Sequence, residues 1–125
     1  MDPTSTHQEH ALRLFQIFEK GTSDALEGVL ALFSPEAKFY MWGPHKAPMN
    51  GHKEMREGFE GMFAQLKDFR YRVTNMAENG SILIIERVES FRFLEKHDVE
   101  VSLVSVSELG FGSKIVSWTD YKNFK

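Results

Sequence analysis

The apolar positions of this chain change period partway along its length. From His7 to Lys20, Ala11, Leu12, Leu14, Phe15, Ile17 and Phe18 recur at helical spacing, and Gly21 supplies a stop. Ser23 or Asp24 can cap a second short helix carrying Leu26, Val29, Leu30, Leu32 and Phe33. Ser34-Pro35 predicts its end, because the residue before a proline is pushed out of helical geometry. Lys38 to Trp42 reads as a short strand, and Gly43, Pro44, Pro48 and Gly51 mark an irregular loop that could form a mobile lip. A third helix is expected from His52 to about Leu66, burying Met55, Phe59, Met62, Phe63 and Leu66.

After Asp68 the period becomes two. Phe69, Tyr71 and Val73 open a strand, and Asn79-Gly80 is a two-residue hairpin signal. Ser81 to Glu95 forms a long strand, His97-Asp98 a turn, Val99 to Leu109 a strand, Gly110 to Ser113 a turn, and Lys114 to Tyr121 the last strand. Alternation slips between Leu103 and Val104, which predicts a β-bulge there. Helices followed by a run of antiparallel strands predict one α+β domain over residues 1–125, its curved sheet wrapped around the helices and able to enclose a cavity.

Composition adds an excess of bulk. Eleven Phe, two Trp and three Tyr exceed what minimal packing of 125 residues needs, so a pocket or an apolar oligomer interface is expected. The net charge of −3 offers no basic patch to offset phosphate repulsion, which argues against nucleic acid as partner. With no cysteine in the chain, disulfides, thiolate catalysis and Cys-based zinc sites are excluded. Met1 to His10 lacks the apolar run of a signal peptide, and no stretch reaches the ~20 apolar residues that span a bilayer, so a cytoplasmic, non-membrane protein is expected.

The candidate chemistry lies in the strands. Leu83, Ile85, Arg87, Glu89, Phe91 and Phe93 share one face of the long strand. Val116, Trp118 and Asp120 share a face of the last. If these faces turn inward, one guanidinium and two carboxylates converge in an aromatic-lined space, where burial costs several kcal/mol per ion unless the charges are paired. Arg87 would lower the pKa of the acid it pairs with best, and an apolar wall would raise the other. Two carboxyls so separated suit acid–base chemistry. Charged strand residues more often lie on a solvated face, and periodicity does not settle which face is inner; the opposite parity would bury Glu86 and Arg92 instead. His45 and His52 flank the loop without a clear third partner, so no metal is expected. The Met and remaining Phe residues are expected to fill the core and line the cavity.

Glu86-Arg87-Val88-Glu89 and, about thirty residues later, Trp118-Thr119-Asp120-Tyr121 resemble the limonene-1,2-epoxide hydrolase family. The resemblance implies the cone of the nuclear-transport-factor-2-like superfamily, shared with ketosteroid isomerases and SnoaL-type polyketide cyclases: three N-terminal helices on a strongly curved, mostly antiparallel sheet. It assigns Asp120 as the base that activates water, Glu89 as the acid that protonates the epoxide oxygen, in place of the family's aspartic acid, and Arg87 as the bridge between them. Tyr40 matches the family's water-holding tyrosine, and Trp42 takes the position of its asparagine. Trp42, Leu83, Ile85, Phe91 and Trp118 are then expected around a small apolar molecule. No cofactor is needed, and a homodimer through the outer sheet face is expected. A non-catalytic binding module and an isomerase or cyclase of the same superfold are the competing readings.

Overall fold

A computed structural model describes residues 2–93 and 97–123. Helix α1 spans Thr6–Lys20. The Ser5 side chain accepts from the Gln8 amide at its start, and Gly21, at φ 65°, ends it with an N–H donated to Ile17 O. A turn of 3-10 helix at Ser23–Ala25 leads into α2, Leu26–Leu30. Strands β1 (Phe33–Tyr40) and β2 (Met49–Asn50) precede α3 (Gly51–Gln65). The chain then runs through β3 (Leu66–Asn79), β4 (Ile82–Phe93), β5 (His97–Leu109) and β6 (Ile115–Asn123).

The strands form one sheet in the order β2-β1-β6-β5-β4-β3. All neighbours are antiparallel except β1 and β6, which run parallel. The helices cover its concave face. Leu14, Phe15, Ile17 and Phe18 of α1 and Met55, Phe59 and Phe63 of α3 bury against Phe33, Phe39, Phe69, Leu83, Ile85, Ile115 and Trp118. The α+β expectation and the three-helix, curved-sheet architecture therefore hold.

Several boundaries move. The second helix stops at Leu30, and Phe33, expected on it, opens β1 and is buried beside Phe39 and Trp118. Pro35 lies inside β1 rather than ending a helix. The register between β1 and β6 shifts between Phe33 and Lys38, so the missing N–H falls where the ladder is already interrupted. Strand β1 ends at Tyr40, leaving Trp42 in the following turn. Strand β3 starts at Leu66, three residues early, and a register shift between Lys67 and Arg70 absorbs Asp68 at φ 57°.

His97 and Asp98 belong to β5 instead of a turn, and Leu94 and Glu95, expected at the end of the long strand, lie outside the described residues. The bulge expected between Leu103 and Val104 is absent there. The β4–β5 register is continuous through both, and β5 shifts only against β6, between Glu108 and Leu109. Inward parity persists through Val101, Leu103, Ser105 and Ser107. What changes after Leu103 is the polarity of the inward residue, and the partners of the two serines explain why.

Candidate active site

Alternation in β4 resolves in favour of the odd face. Leu83 and Ile85 are wholly buried, and Arg87 and Glu89 follow them inward. The opposite pair is on the surface: Glu86 accepts from Asn75 Nδ2 and Thr74 Oγ1, and Arg92 lies 3.4 Å from Asp68 and from Asp98. In β6 the inward face carries Trp118 and Asp120, and Lys122 follows at the same parity. Strand β5 separates β4 from β6, and its Ser105 is the Cα partner of both Ile85 and Asp120. That register places a small hydroxyl between the arginine and the acid.

Arg87 is the hub. Its Nε donates to Glu89 Oε2 at 3.0 Å, and Nη2 lies 2.9 Å from the same oxygen as an ion pair. Nη1 donates to Ser105 Oγ at 2.6 Å, and Nη2 reaches Asp120 Oδ1 at 3.4 Å. The face of the guanidinium packs 4.6 Å from the Phe15 ring centroid and 5.9 Å from that of Trp118. Asp120 Oδ1 also accepts from Ser105 Oγ at 2.5 Å and from Trp118 Nε1 at 2.8 Å. The trio thus satisfies the condition under which buried charge is tolerated: close pairing, with hydrogen bonds for the remaining donors.

Burial pushes the Glu89 carboxyl above its ordinary range. The Arg87 guanidinium pulls the other way and the Asp120 carboxylate reinforces the rise. Because both guanidinium contacts fall on Oε2, the proton of a neutral Glu89 belongs on Oε1. Burial and the nearby acids likewise hold the Tyr71 hydroxyl well above its ordinary pKa.

Two volumes have Glu89 in their walls. The outer one is a cavity of about 850 Å³ lined mainly by apolar side chains, among them Phe39, Met41, Met62, Phe69, Phe91 and Val101. The inner one, of about 30 Å³, is bounded by Phe15, Tyr71, Arg87, Glu89, Trp118, Asp120 and Lys122 with their apolar neighbours. Its size suits a single water molecule or one small oxygen function. Phe39, Met41, Met62, Phe69, Glu89 and Lys122 line both.

Of the residues singled out in the sequence, Arg87, Glu89, Asp120 and Trp118 come together at the inner chamber, and Phe91 lines the outer cavity. Leu83 and Ile85 do not: they are core residues with no surface on either volume. Trp42 stands at the rim of the outer cavity, 61% exposed, with Lys122 Nζ 4.3 Å from its ring centroid. Tyr40 lines neither volume. The inward positions of this segment are Phe39 and Met41, because Phe39 is stacked on Trp118 at 5.8 Å and edge-on to Phe59 at 5.1 Å. Tyr40 and Trp42 therefore have the opposite parity to Phe39 and Met41, which line the chamber.

Sequence reasoning passed over Ser105, Tyr71, Lys122 and the buried His7, whose Nε2 lies 2.8 Å from Ser107 Oγ. Ser105 and Ser107 had a signal: two hydroxyls at the parity of Val101 and Leu103. His52 Nε2 contacts Phe33 O, His45 is exposed, and no three metal-ligating side chains cluster among the described residues. No helix among the described residues is long and apolar enough to cross a membrane.

Solved structures of the same fold include an NTF2-like protein of unknown function from Burkholderia pseudomallei, 15% identical, with a TM-score of 0.82 over 96% of this chain and 92% of that one. An LEH-like epoxide hydrolase from M. tuberculosis is 14% identical, with a TM-score of 0.77 over 94% of this chain and 83% of its own. A protein with a ketosteroid isomerase-like fold from Catenulispora acidiphila, in complex with trimethylamine, is 17% identical, with a TM-score of 0.77 over 90% and 84%. At these identities the likeness establishes the NTF2-like fold. No curated protein matches the sequence. The SnoaL-like domain matches residues 11–118, nearly the whole helix-and-sheet unit, and this chain belongs to that family.

Proposed function

We propose that this protein adds water to an epoxide carried on an apolar body, in one step, with Asp120 as general base, Glu89 as general acid and Arg87 bridging them. The observation that carries the reading is the unequal treatment of two acids on one wall. Glu89 is pushed toward its neutral form and its Oε1 is clear of the guanidinium, whereas Asp120 Oδ1 accepts from Ser105, Trp118 and Arg87. Asp120 takes a proton from water as the water oxygen bonds to an epoxide carbon. The carbon–oxygen bond breaks, and Glu89 protonates the departing oxygen. A vicinal diol results, and the proton left on Asp120 returns to Glu89 through solvent. The apolar cavity orients the substrate against this wall.

The test is a panel of cyclic epoxides of graded size, assayed for diol alongside Asp120→Asn. Removing the base is expected to lower kcat by about 100-fold to 10,000-fold. Failure of every epoxide to yield diol, or equal rates in the variant, overturns the hydrolytic reading. A second reading, a ligand-binding domain without turnover, is favoured by the apolar Phe39 and Met41 at the chamber. It predicts tight ligand binding that Asp120→Asn leaves intact, with no product.

A further inference from the structure

Tyr71 sits on β3 directly opposite Glu89 of β4. Its ring is stacked on Phe15 at 5.0 Å and on Phe69 at 6.0 Å, with Phe18 tilted against it at 6.4 Å. A ring packed by three others cannot swing its hydroxyl elsewhere. That ring borders the 30 Å³ chamber together with Arg87, Glu89 and Asp120.

Hydrogen-bond capacity at the chamber is unevenly spent. Arg87 is committed to Glu89 Oε2, Ser105 and Asp120 Oδ1, and the Trp118 N–H to Asp120 Oδ1. Among the described residues, the Tyr71 hydroxyl, Glu89 Oε1 and Asp120 Oδ2 have no such partner. Three residues that each carry an oxygen with unused capacity thus line one volume the size of a water molecule, and a confined water needs two to four polar partners. The first strand and the turn after it cannot provide them, because their inward residues are Phe39 and Met41.

We propose that the Tyr71 hydroxyl holds the nucleophilic water, donating to it while the water donates to Asp120 Oδ2. This rests on the hydrolytic reading above. The water's remaining lone pair is then directed toward a carbon beside the wall that the two volumes share, where Glu89 is within reach of the epoxide oxygen. A hydroxyl held well above its ordinary pKa stays protonated and remains a donor.

Tyr71→Phe removes the oxygen and keeps the stacked ring. The expected result is a kcat about 10-fold to 100-fold lower with KM unchanged. High-resolution crystal structures of the wild type and the variant give a readout independent of turnover. The inference predicts a water within hydrogen-bonding distance of the Tyr71 hydroxyl and Asp120 Oδ2 in the wild type, lost or displaced in Tyr71→Phe. A water seated identically in both, or none within reach of Tyr71 in the wild type, overturns it. If no epoxide is turned over, the hydrolytic reading falls, and the two structures still decide whether Tyr71 holds the water.

Discussion

Ser105 donates to Asp120 at 2.5 Å across directly opposed positions of β5 and β6. The same hydroxyl accepts from Arg87 Nη1 at 2.6 Å, so one small residue joins the acid to the guanidinium. Both oxygen lone-pair and proton are used, and nothing larger than a hydroxyl links both groups so closely. Ser105→Ala strips a partner from each buried group. The expected cost is about 1–3 kcal/mol of folding stability, measured by urea denaturation, because a buried donor or acceptor left unmade loses its solvation without replacement. An unchanged midpoint would mean that the bridge contributes nothing.

Arg87 compensates two buried acids at once. Arg87→Met is expected to destabilise the fold by about 3–5 kcal/mol, since it leaves negative charge without its cation. Adding Glu89→Leu should recover part of that loss, because an apolar replacement of a buried pair is close to neutral. Denaturation of the single and double variants checks the sign. A double variant less stable than the single one contradicts the account.

The folded pKa of Glu89 is raised above its ordinary value of 4.5. A carboxyl of this kind binds its proton more tightly when folded. Its contribution is therefore fully present below the unfolded pKa and is lost as pH rises through the folded value. Wild-type stability should decline with pH from 4.5 upward across that window, and Glu89→Gln, which is always neutral, should flatten the decline. Parallel stability–pH curves for the two proteins would show that Glu89 is not the group responsible.

Lys122 lines both volumes, and its charge opposes the rise in the Glu89 pKa. Lys122→Met should therefore raise that pKa further. If Glu89 acts as the acid, activity is lost as it deprotonates, and the alkaline limb of the kcat–pH profile should move to higher pH in the variant. The carboxyl-carbon NMR shift of Glu89 follows the same titration without turnover. Movement to lower pH in either measurement contradicts the assignment.

Much of the site could be read from residue spacing, and its failures are specific. Period-two alternation grouped Arg87 and Glu89 with Leu83 and Ile85, and Asp120 with Trp118, and these groupings stand. The serines at 105 and 107 looked like a break in alternation because inward strand positions are expected to be apolar. They are polar because Arg87, Asp120 and His7 need their hydroxyls. The first strand misled in the opposite way: Tyr40 carries the chemically suggestive side chain, but the packing of Phe39 on Trp118 and Phe59 turns the neighbouring parity inward.

Residue spacing alone carried the order of the longer helices and strands and which residues share a face, because side-chain direction repeats every two residues in a strand and every 3.6 in a helix. The two-residue β2 lay in what spacing marked as a loop. Spacing did not determine which face is inside, since alternation has a period but no sign. That was decided by α1 and α3 burying one side of the sheet, and by a strand order that sets β5 between β4 and β6. Only that arrangement brings Arg87, Ser105 and Asp120, far apart in the chain, to hydrogen-bonding distance. It also aims Tyr71, from the edge strand β3, at the same small chamber.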